Sequence, residues 1–581
     1  MSTKKRSTAG VYRTEIDLSN RVVPTATSIG ATVVRSKKGP INRAVLVSDD
    51  ADYVKQFGEP VFTSGASGTP NIPEMGYGQY SAIIYSRVSD ATYVVRDFAD
   101  GDTYSYLNFD ADGTTSGDTA TSGLQAETDP DLIPDELDSI YTLDNGITTG
   151  NTMLLGAIGP GIDGNNLAVT VETFSSTCDW FNTYDNYTSA TDTSAHPIGS
   201  TVFKIQVFTK KDNEVWSDIS FADISASPVE TFYGSRTSQK DVNGQQLKID
   251  EVINGVSNYI YSVIGTADFS TSILNTTPTS VIPLLGGNVV YGTNQGSSDG
   301  WDFYDSKSKT SQNIMILADY DMTVKKYIEA IVTARKDCIV VAQSGAVTAT
   351  TRAKVSLAET YGYTNPSFIA LYAGYDKFYD KYNDRYVMLP KSIYGAVLMA
   401  RTDSVANVWD APAGVNRGII GSDGQNIQFS FEEVGQLYDE NINTSLNISF
   451  VGDVMWGQKT AQLKASSLDR INVRRSLTFI ENTLESSYLP FLFEPNNDAT
   501  RTRLKNISDE FLEGLSAGGA FNTDDDQGFL VVCDTTNNTP DVISANTMIV
   551  GVYLKPSQST EYIELITTVT KAGISFAEVI G

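Results

Sequence analysis

The 581-residue chain contains one histidine, His196, and three cysteines, Cys178, Cys338 and Cys533. A lone histidine excludes Ser-His-Asp triads, multi-histidine metal centres and most imidazole acid–base schemes. His196 lies in a Ser/Thr-rich stretch and reads as a solvated loop residue. The cysteines are odd in number, far apart and without CxxC spacing, so they form neither a disulfide framework nor a metal knuckle. They read as small core residues of a protein assembled in a reducing cytoplasm. The chain has no phosphate-binding glycine loop, no GxGxxG after a strand and no GxSxG elbow. Asp110-Ala111-Asp112-Gly113 has the acidic spacing of a calcium loop. Its glycine falls too early and no glutamate closes it, which favours a solvated turn. No carboxylate pair stands out either. The expectation is a protein that is not an enzyme, with no catalytic, cofactor-binding or metal-binding residues.

Long apolar runs are missing too. None approaches the roughly 20 residues of a membrane helix. The polar start Met1-Ser-Thr-Lys-Lys-Arg-Ser has no signal-peptide core behind it. Basic residues are few: 42 Lys+Arg against 70 Asp+Glu give a net charge of −28. Such an acidic chain is a poor partner for nucleic acid. Like charge also means that self-association needs strong, specific contacts. What remains is a folded chain, 40% hydrophobic and 19% charged, long enough for several domains.

Patterns along the chain give the elements. Val11 to Val23 alternates, with Tyr12, Thr14, Ile16 and Leu18 on one side, and predicts a strand at the chain end. Ile29 to Val34 predicts a strand, and Asp49 to Gly58 a capped short helix. Tyr93 to Arg96 predicts another strand. The composition then breaks, with no Lys or Arg between Arg96 and Lys204, and acidic, Thr/Ser/Gly-rich turns separate strand-like runs at Leu167–Glu172 and Phe203–Phe208. This predicts one or two inserted β-rich domains, ending near Gly286-Gly287 or the Gly292–Gly300 stretch. From Ile314 strands alternate with helices: strands at 314–317, 339–342 and 368–372, helices at 323–335, 352–361, 391–401 and 431–441. The first of these helices puts Tyr327, Ile328, Ile331 and Val332 on one face. Later helices span 473–484 and 500–515, the second with Leu504, Ile507, Phe511, Leu512 and Leu515 in one stripe. Strands follow at 529–533 and 548–554. Tyr562 to Thr570 alternates, with Ile563, Leu565, Thr567 and Val569 on one face.

A series of short strings stands out along the chain. They are Gly10-Val11-Tyr12, Lys38-Gly39-Pro40, Phe57-Gly58, Gly159-Pro160-Gly161 with Gly164-Asn165-Asn166-Leu167, and Tyr394 to Asp403. Ala411-Pro-Ala-Gly414 with Asn416-Arg-Gly418, Trp456 to Thr460, Arg470 to Arg475, Phe493-Glu-Pro-Asn496 and Val532 to Pro540 continue the series, followed by Asn546, Lys555-Pro556 and Glu561-Tyr-Ile563. Each is weak alone. Together, and in this order, they are similar to the sheath family of contractile phage tails, those of large T4-like myoviruses above all. They cover the N-terminal block and nearly everything after about residue 313, whereas the insert matches only at Gly159–Leu167.

The resemblance implies a multidomain α+β protein. A sheath-type α/β core would carry inserted β-rich domain(s), and a C-terminal α+β domain would lie near an inner tube, with extended strand-donating arms at both ends. The expected division is an N-terminal arm at 1–22, core at 23–96, acidic outer insert at 97–300, core at 301–465, tube-proximal domain at 466–560 and C-terminal arm at 561–581. It implies subunits that polymerise helically around the tail tube, in stacked rings or a multi-start helix, and contract from a metastable extended state to drive the tube through the host envelope. Implied partners are further copies of the chain, the tail tube protein, and baseplate and tail-terminator proteins. Direct nucleic-acid contact, membrane insertion and a cofactor are not implied. The expected location is the virion tail, after assembly in the host cytoplasm. Tyr12, Thr14, Ile16, Leu18, Ile563, Leu565, Thr567 and Val569 are the expected strand-exchange residues. An open strand at each end has backbone groups to pair with a neighbour's sheet. Arg501, Arg503 and Lys505 begin a helix in an order that opposes its dipole. They read either as tube-facing charges or as members of solvated pairs such as Lys505–Asp509. Two other readings stay open: a genome-free, tailocin-like injection sheath, and a β-rich surface or adhesive protein.

Overall fold

The computed structural model describes residues 24–61, 73–97, 102–110, 115–116, 124–125, 151–173, 202–235, 248–264, 280–288, 297–344 and 362–564, apart from positions 42, 74, 90, 160, 212, 213, 255 and 525. The run Val11–Val23, the helix expected at 352–361, His196 and Cys178 lie outside these residues. The chain is a mixed α+β protein with several sheets. It divides into two compact units, one of residues 26–406 and 412–471, the other of 1–25, 407–411 and 472–581.

The larger unit is built on a seven-stranded sheet. In spatial order its strands are Ile442–Asn443, Ile369–Tyr372, Ile339–Gln343, Ile314–Leu317, Gly30–Arg35, Thr92–Asp97 and Ala44–Val47. All neighbours are parallel except the last pair. The runs Ile314-Met-Ile-Leu317 and Ile339-Val-Val-Ala-Gln343 are buried at every position, as a parallel sheet covered on both faces requires. Period two then sorts their side chains. Met315, Leu317, Val340 and Ala342 join one core with the helix Met322–Arg335. Ile314, Ile316, Ile339 and Val341 join the other with the helices Gly78–Ser86 and Lys391–Val405. In the second core Gly395 lies flat against the Tyr372 ring, where an added Cβ would come within 2.5 Å of ring carbon.

The helix Met322–Arg335 corrects one expectation. Tyr327 is exposed and donates to Asp302, while Lys325, Glu329 and Arg335 are buried alongside Ile328, Ile331 and Val332. Arg335 is held by Asp337 at 2.8 Å and by the carbonyls of Tyr304 and Thr310 at 2.9 and 2.8 Å. The Glu329 carboxylate accepts from the amide of Asn365. Apart from Asp337, those partners are distant in sequence, so the apolar stripe alone misplaces the helix face.

Between the core strands Thr92–Asp97 and Ile314–Leu317 the chain forms two four-stranded sheets. One orders Glu230–Ser235, Val202–Thr209, Leu167–Thr173 and Ile282–Pro283; the other orders Ile260–Ile264, Asn151–Ala157, Tyr106–Asp110 and Thr115–Ser116. They share one apolar cluster, including Leu107, Leu155, Val169, Val171, Ile205, Val207 and Phe232, closed by the helix Ile249–Asn254. The segment Gly159–Leu167 ties the base of this insert. Asn165 Oδ1 accepts from Ser105 Oγ at 2.9 Å and from Gly287 N at 3.0 Å, and its Nδ2 donates to Gly287 O at 2.7 Å. One amide thus clamps the incoming and outgoing chains. Arg96, fully buried and pushed down to about 10 by that burial, donates to Gly39 O at 2.8 Å. Gly159 packs so closely on the same carbonyl that an added Cβ would lie 2.6 Å from it. The one stretch of the insert that matches the family strings is therefore the stretch that fastens it to the core.

Candidate assembly surface

The smaller unit pairs two helices, Ile471–Tyr488 and Asp498–Ala517, with a two-stranded antiparallel sheet, Phe529–Val532 and Gly551–Leu554. Ile480, Leu484, Phe511, Leu512 and Leu515 form its core with Phe529 and Val531. Alternation turns Leu530 and Tyr553 outward, and both are exposed. Among the described residues this sheet has no third strand, so each strand keeps an open edge.

The sequence strings act here as staples. Asn472, inside Arg470–Arg475, donates to Trp409 O at 3.0 Å and Ser559 Oγ at 3.3 Å, and Trp409 Nε1 donates to Gly518 O at 3.3 Å. Burial pushes the Arg474 guanidinium down, with Glu481 at 3.7 Å opposing it. In the turn Asp534–Pro540, Asn538 is 1% exposed. Its Nδ2 donates to Asp534 O at 3.1 Å and Ile549 O at 3.0 Å, and its Oδ1 accepts from Ile549 N at 2.7 Å. Asn537 Nδ2 adds bonds to Val532 O at 2.8 Å and Ile549 O at 3.0 Å. Because the backbone groups of Ile549 are spent on these side chains, the strand starts at Gly551 and not at Met548. Asn538→Ala strands several buried groups and is expected to cost about 2–3 kcal/mol. Hydrogen exchange at residues 551–554 should accelerate while the seven-stranded sheet stays protected.

Thr25, near the first described residue, and residues 561–564 belong with this unit. Thr25 N donates to Thr483 Oγ1 on the first helix at 3.3 Å, and the two hydroxyls lie 3.1 Å apart. Beyond the second strand, Glu561–Glu564 carry no regular structure, and Tyr562 and Ile563 are exposed. Of the expected exchange residues only Ile563 is described; Tyr12, Thr14, Ile16, Leu18, Leu565, Thr567 and Val569 lie outside the described residues. The three basic residues of the second helix differ from one another. Arg501 is 6% exposed, bonds Asn496 Oδ1 at 2.7 Å and pairs with Asp498. Lys505 pairs with Asp509, and Arg503 is exposed. The N-cap is Asn497, which accepts from Thr500 N at 2.9 Å. Sequence reasoning missed the role of Arg501, because its partners are the loop residues just before the helix and not an apolar or charged repeat. Cys338 and Cys533 are buried, and burial pushes both thiols up, as it would for inert core residues. Among the described residues no helix is long and apolar enough to cross a membrane.

A staple-bound hairpin with open edges has the backbone groups that strand addition would use. Residues 464–570, which include this hairpin, match the family of phage tail sheath C-terminal domains. The tail sheath protein of Enterobacteria phage T4 is 32% identical over 375 residues, covering 60% of this chain and 55% of the relative. That of Vibrio phage KVP40 is 30% identical over 374 residues, covering 59% and 53%. The chain spans about half the length of the curated relatives it matches. The solved sheath tail protein of Listeria innocua shares the fold, with a TM-score of 0.50 at 12% identity over 89% of this chain and 91% of that one. The resemblance carried by the sequence strings is thereby borne out: this chain is related to the phage tail sheath proteins.

Proposed function

We propose that the chain is the sheath subunit of a contractile phage tail. Copies of it form a helical sheath around the inner tail tube, and contraction drives the tube through the host envelope for genome delivery. The observation that supports this best is the open-edged hairpin Phe529–Val532/Gly551–Leu554 within the segment that matches sheath proteins. In this reading residues 1–22 and 561–581 leave the subunit and add strands to neighbours. Backbone ladders of that kind survive rotation of whole subunits, provided the connecting segments bend. The acidic insert faces solvent, where its charge does not oppose packing. The work of contraction comes from the difference between two sets of subunit contacts, so no nucleotide site is needed.

The helix Asp498–Ala517 is the proposed tube contact, with its charges reassigned. Arg501 is committed to its own loop, which leaves Arg503, and Lys505 when it exchanges Asp509 for a new partner, to face acidic groups on the tube. Exposed pairs are worth about 0–1 kcal/mol each, weak enough to release as the sheath expands. The double variant Arg503→Glu/Lys505→Glu, mixed with purified tail tubes at physiological salt, should co-sediment with them at a small fraction of the wild-type level while still forming tube-free polymers. Wild-type co-sedimentation by this variant removes the tube contact from the helix.

A further inference from the structure

Two features of the C-terminal unit present apolar surface beyond the contacts described above. The first is an apolar projection. Leu489, Leu492 and Phe493 follow the helix Ile471–Tyr488 and are exposed, Phe493 completely. Phe493 also has a φ of 68°, a left-handed conformation that bulky residues seldom adopt. Such strain persists only where the surroundings impose it, and it gathers at functional positions. Here the bracing is visible. Leu492 N donates to Leu489 O at 3.2 Å, Glu494 N to Phe491 O at 3.2 Å and Asn497 N to Pro495 O at 2.9 Å. Arg501 grips Asn496, whose Nδ2 donates to Thr547 O at 2.9 Å. The loop is held firmly in a shape that aims a phenyl ring at solvent. Exposure of that ring gives the isolated fold nothing.

The second feature is a groove of about 360 Å³ between the helix Ile471–Tyr488 and the strand Gly551–Leu554. Leu477, Ile480, Leu484, Tyr488, Val552 and Leu554 supply its apolar lining. Glu481 and Glu485 make one side acidic.

We infer that Phe493, flanked by Leu489 and Leu492, seats in this groove on a second copy of the chain. The inference rests on the sheath reading. The run Leu489-Pro-Phe-Leu-Phe493 is uncharged and bulky, which matches the apolar lining of the groove, and Glu494 beyond it would lie away from Glu481 and Glu485. Projection and groove both fall within residues 464–570, the segment matched to sheath C-terminal domains. They are different patches of one subunit. A contact between unlike patches does not close on itself as a two-fold dimer does; it repeats from copy to copy and generates an open helix. A preorganised aromatic anchor in an apolar slot is also the kind of contact that carries most of an interface's energy.

Phe493→Gly separates assembly from folding, because glycine removes the ring and accepts the left-handed backbone. The variant monomer should melt no lower than wild type. The concentration needed for polymerisation should rise on the order of tenfold or more. Variants Phe493→Cys and Leu477→Cys, each in a Cys178→Ser background that keeps only the buried Cys338 and Cys533, should cross-link in mixed polymers and not when either is assembled alone. Unchanged polymerisation of Phe493→Gly, self-linking of Phe493→Cys, or mixed polymers that fail to cross-link would overturn the inference and leave the sheath reading in place. Failure of the wild-type chain to polymerise would overturn the reading itself.

Discussion

Removal of residues 1–20, or of residues 561–581, leaves a folded chain that stays monomeric at concentrations where the intact protein polymerises. Neither deletion touches the seven-stranded sheet or the helices of the C-terminal unit, so far-ultraviolet circular dichroism should be nearly unchanged. On the proposed reading, what disappears is a strand that would pair with the open edges of Phe529–Val532 and Gly551–Leu554. A strand of about five residues is typical of sheet pairing. At about 1 kcal/mol net per hydrogen bond, a ladder of five bonds contributes on the order of 5 kcal/mol per arm. That is several thousandfold in affinity at each junction, and the loss recurs at every subunit of the polymer. Light scattering after gel filtration distinguishes the outcomes. Ordered helical sheaths from either truncated chain would contradict strand exchange.

Lys391→Met should destabilise the larger unit by about 3–5 kcal/mol, the usual cost of removing one partner of a buried ion pair. Lys391 and Asp376 are both wholly buried, and they pair at the start of the helix Lys391–Val405, where the hairpin Tyr375–Asp380/Arg385–Pro390 joins it. The site is tight: Gly374 has a φ of 100°, and an added Cβ there would lie 2.8 Å from Lys391 Cε. Burial already raises the Asp376 carboxyl above its usual range, with Lys391 opposing the rise. Without the lysine that opposition is gone. The folded variant then holds the Asp376 proton more tightly than the unfolded chain does. Its stability increases as pH falls through the window between the ordinary and the raised carboxyl values, and is lost as pH climbs back through it. Adding Asp376→Leu should recover most of the loss and abolish the pH dependence. Urea denaturation of the three proteins at two pH values checks both statements.

The middle of the core sheet could be read from sequence because Ile314–Leu317, Ile339–Gln343 and Ile369–Tyr372 are short, almost wholly apolar runs separated by helix-length segments. The all-buried helix Gly78–Ser86 could not, since a helix apolar on every side shows no stripe. The hairpins Tyr375–Asp380/Arg385–Pro390 and Ser445–Ile448/Gly452–Met455 also escaped, for their polar and aromatic residues alternate only loosely. Family strings marked the assembly unit more sharply than periodicity did. Asn472, Asn538 and Asn165 each spend a side-chain amide on backbone groups far along the chain. No local pattern announces such a partner. The same holds for Arg501: its position in a basic helix start suggested an outward charge, whereas its geometry serves the loop that presents Phe493.

The most direct measurement is electron microscopy of the purified intact chain, concentrated without any other tail protein. As a sheath subunit it should assemble into hollow helical tubes of uniform diameter, with density joining each subunit's hairpin Phe529–Val532/Gly551–Leu554 to its neighbours. Only monomers or closed, non-helical particles across the accessible concentration and salt range would contradict the account.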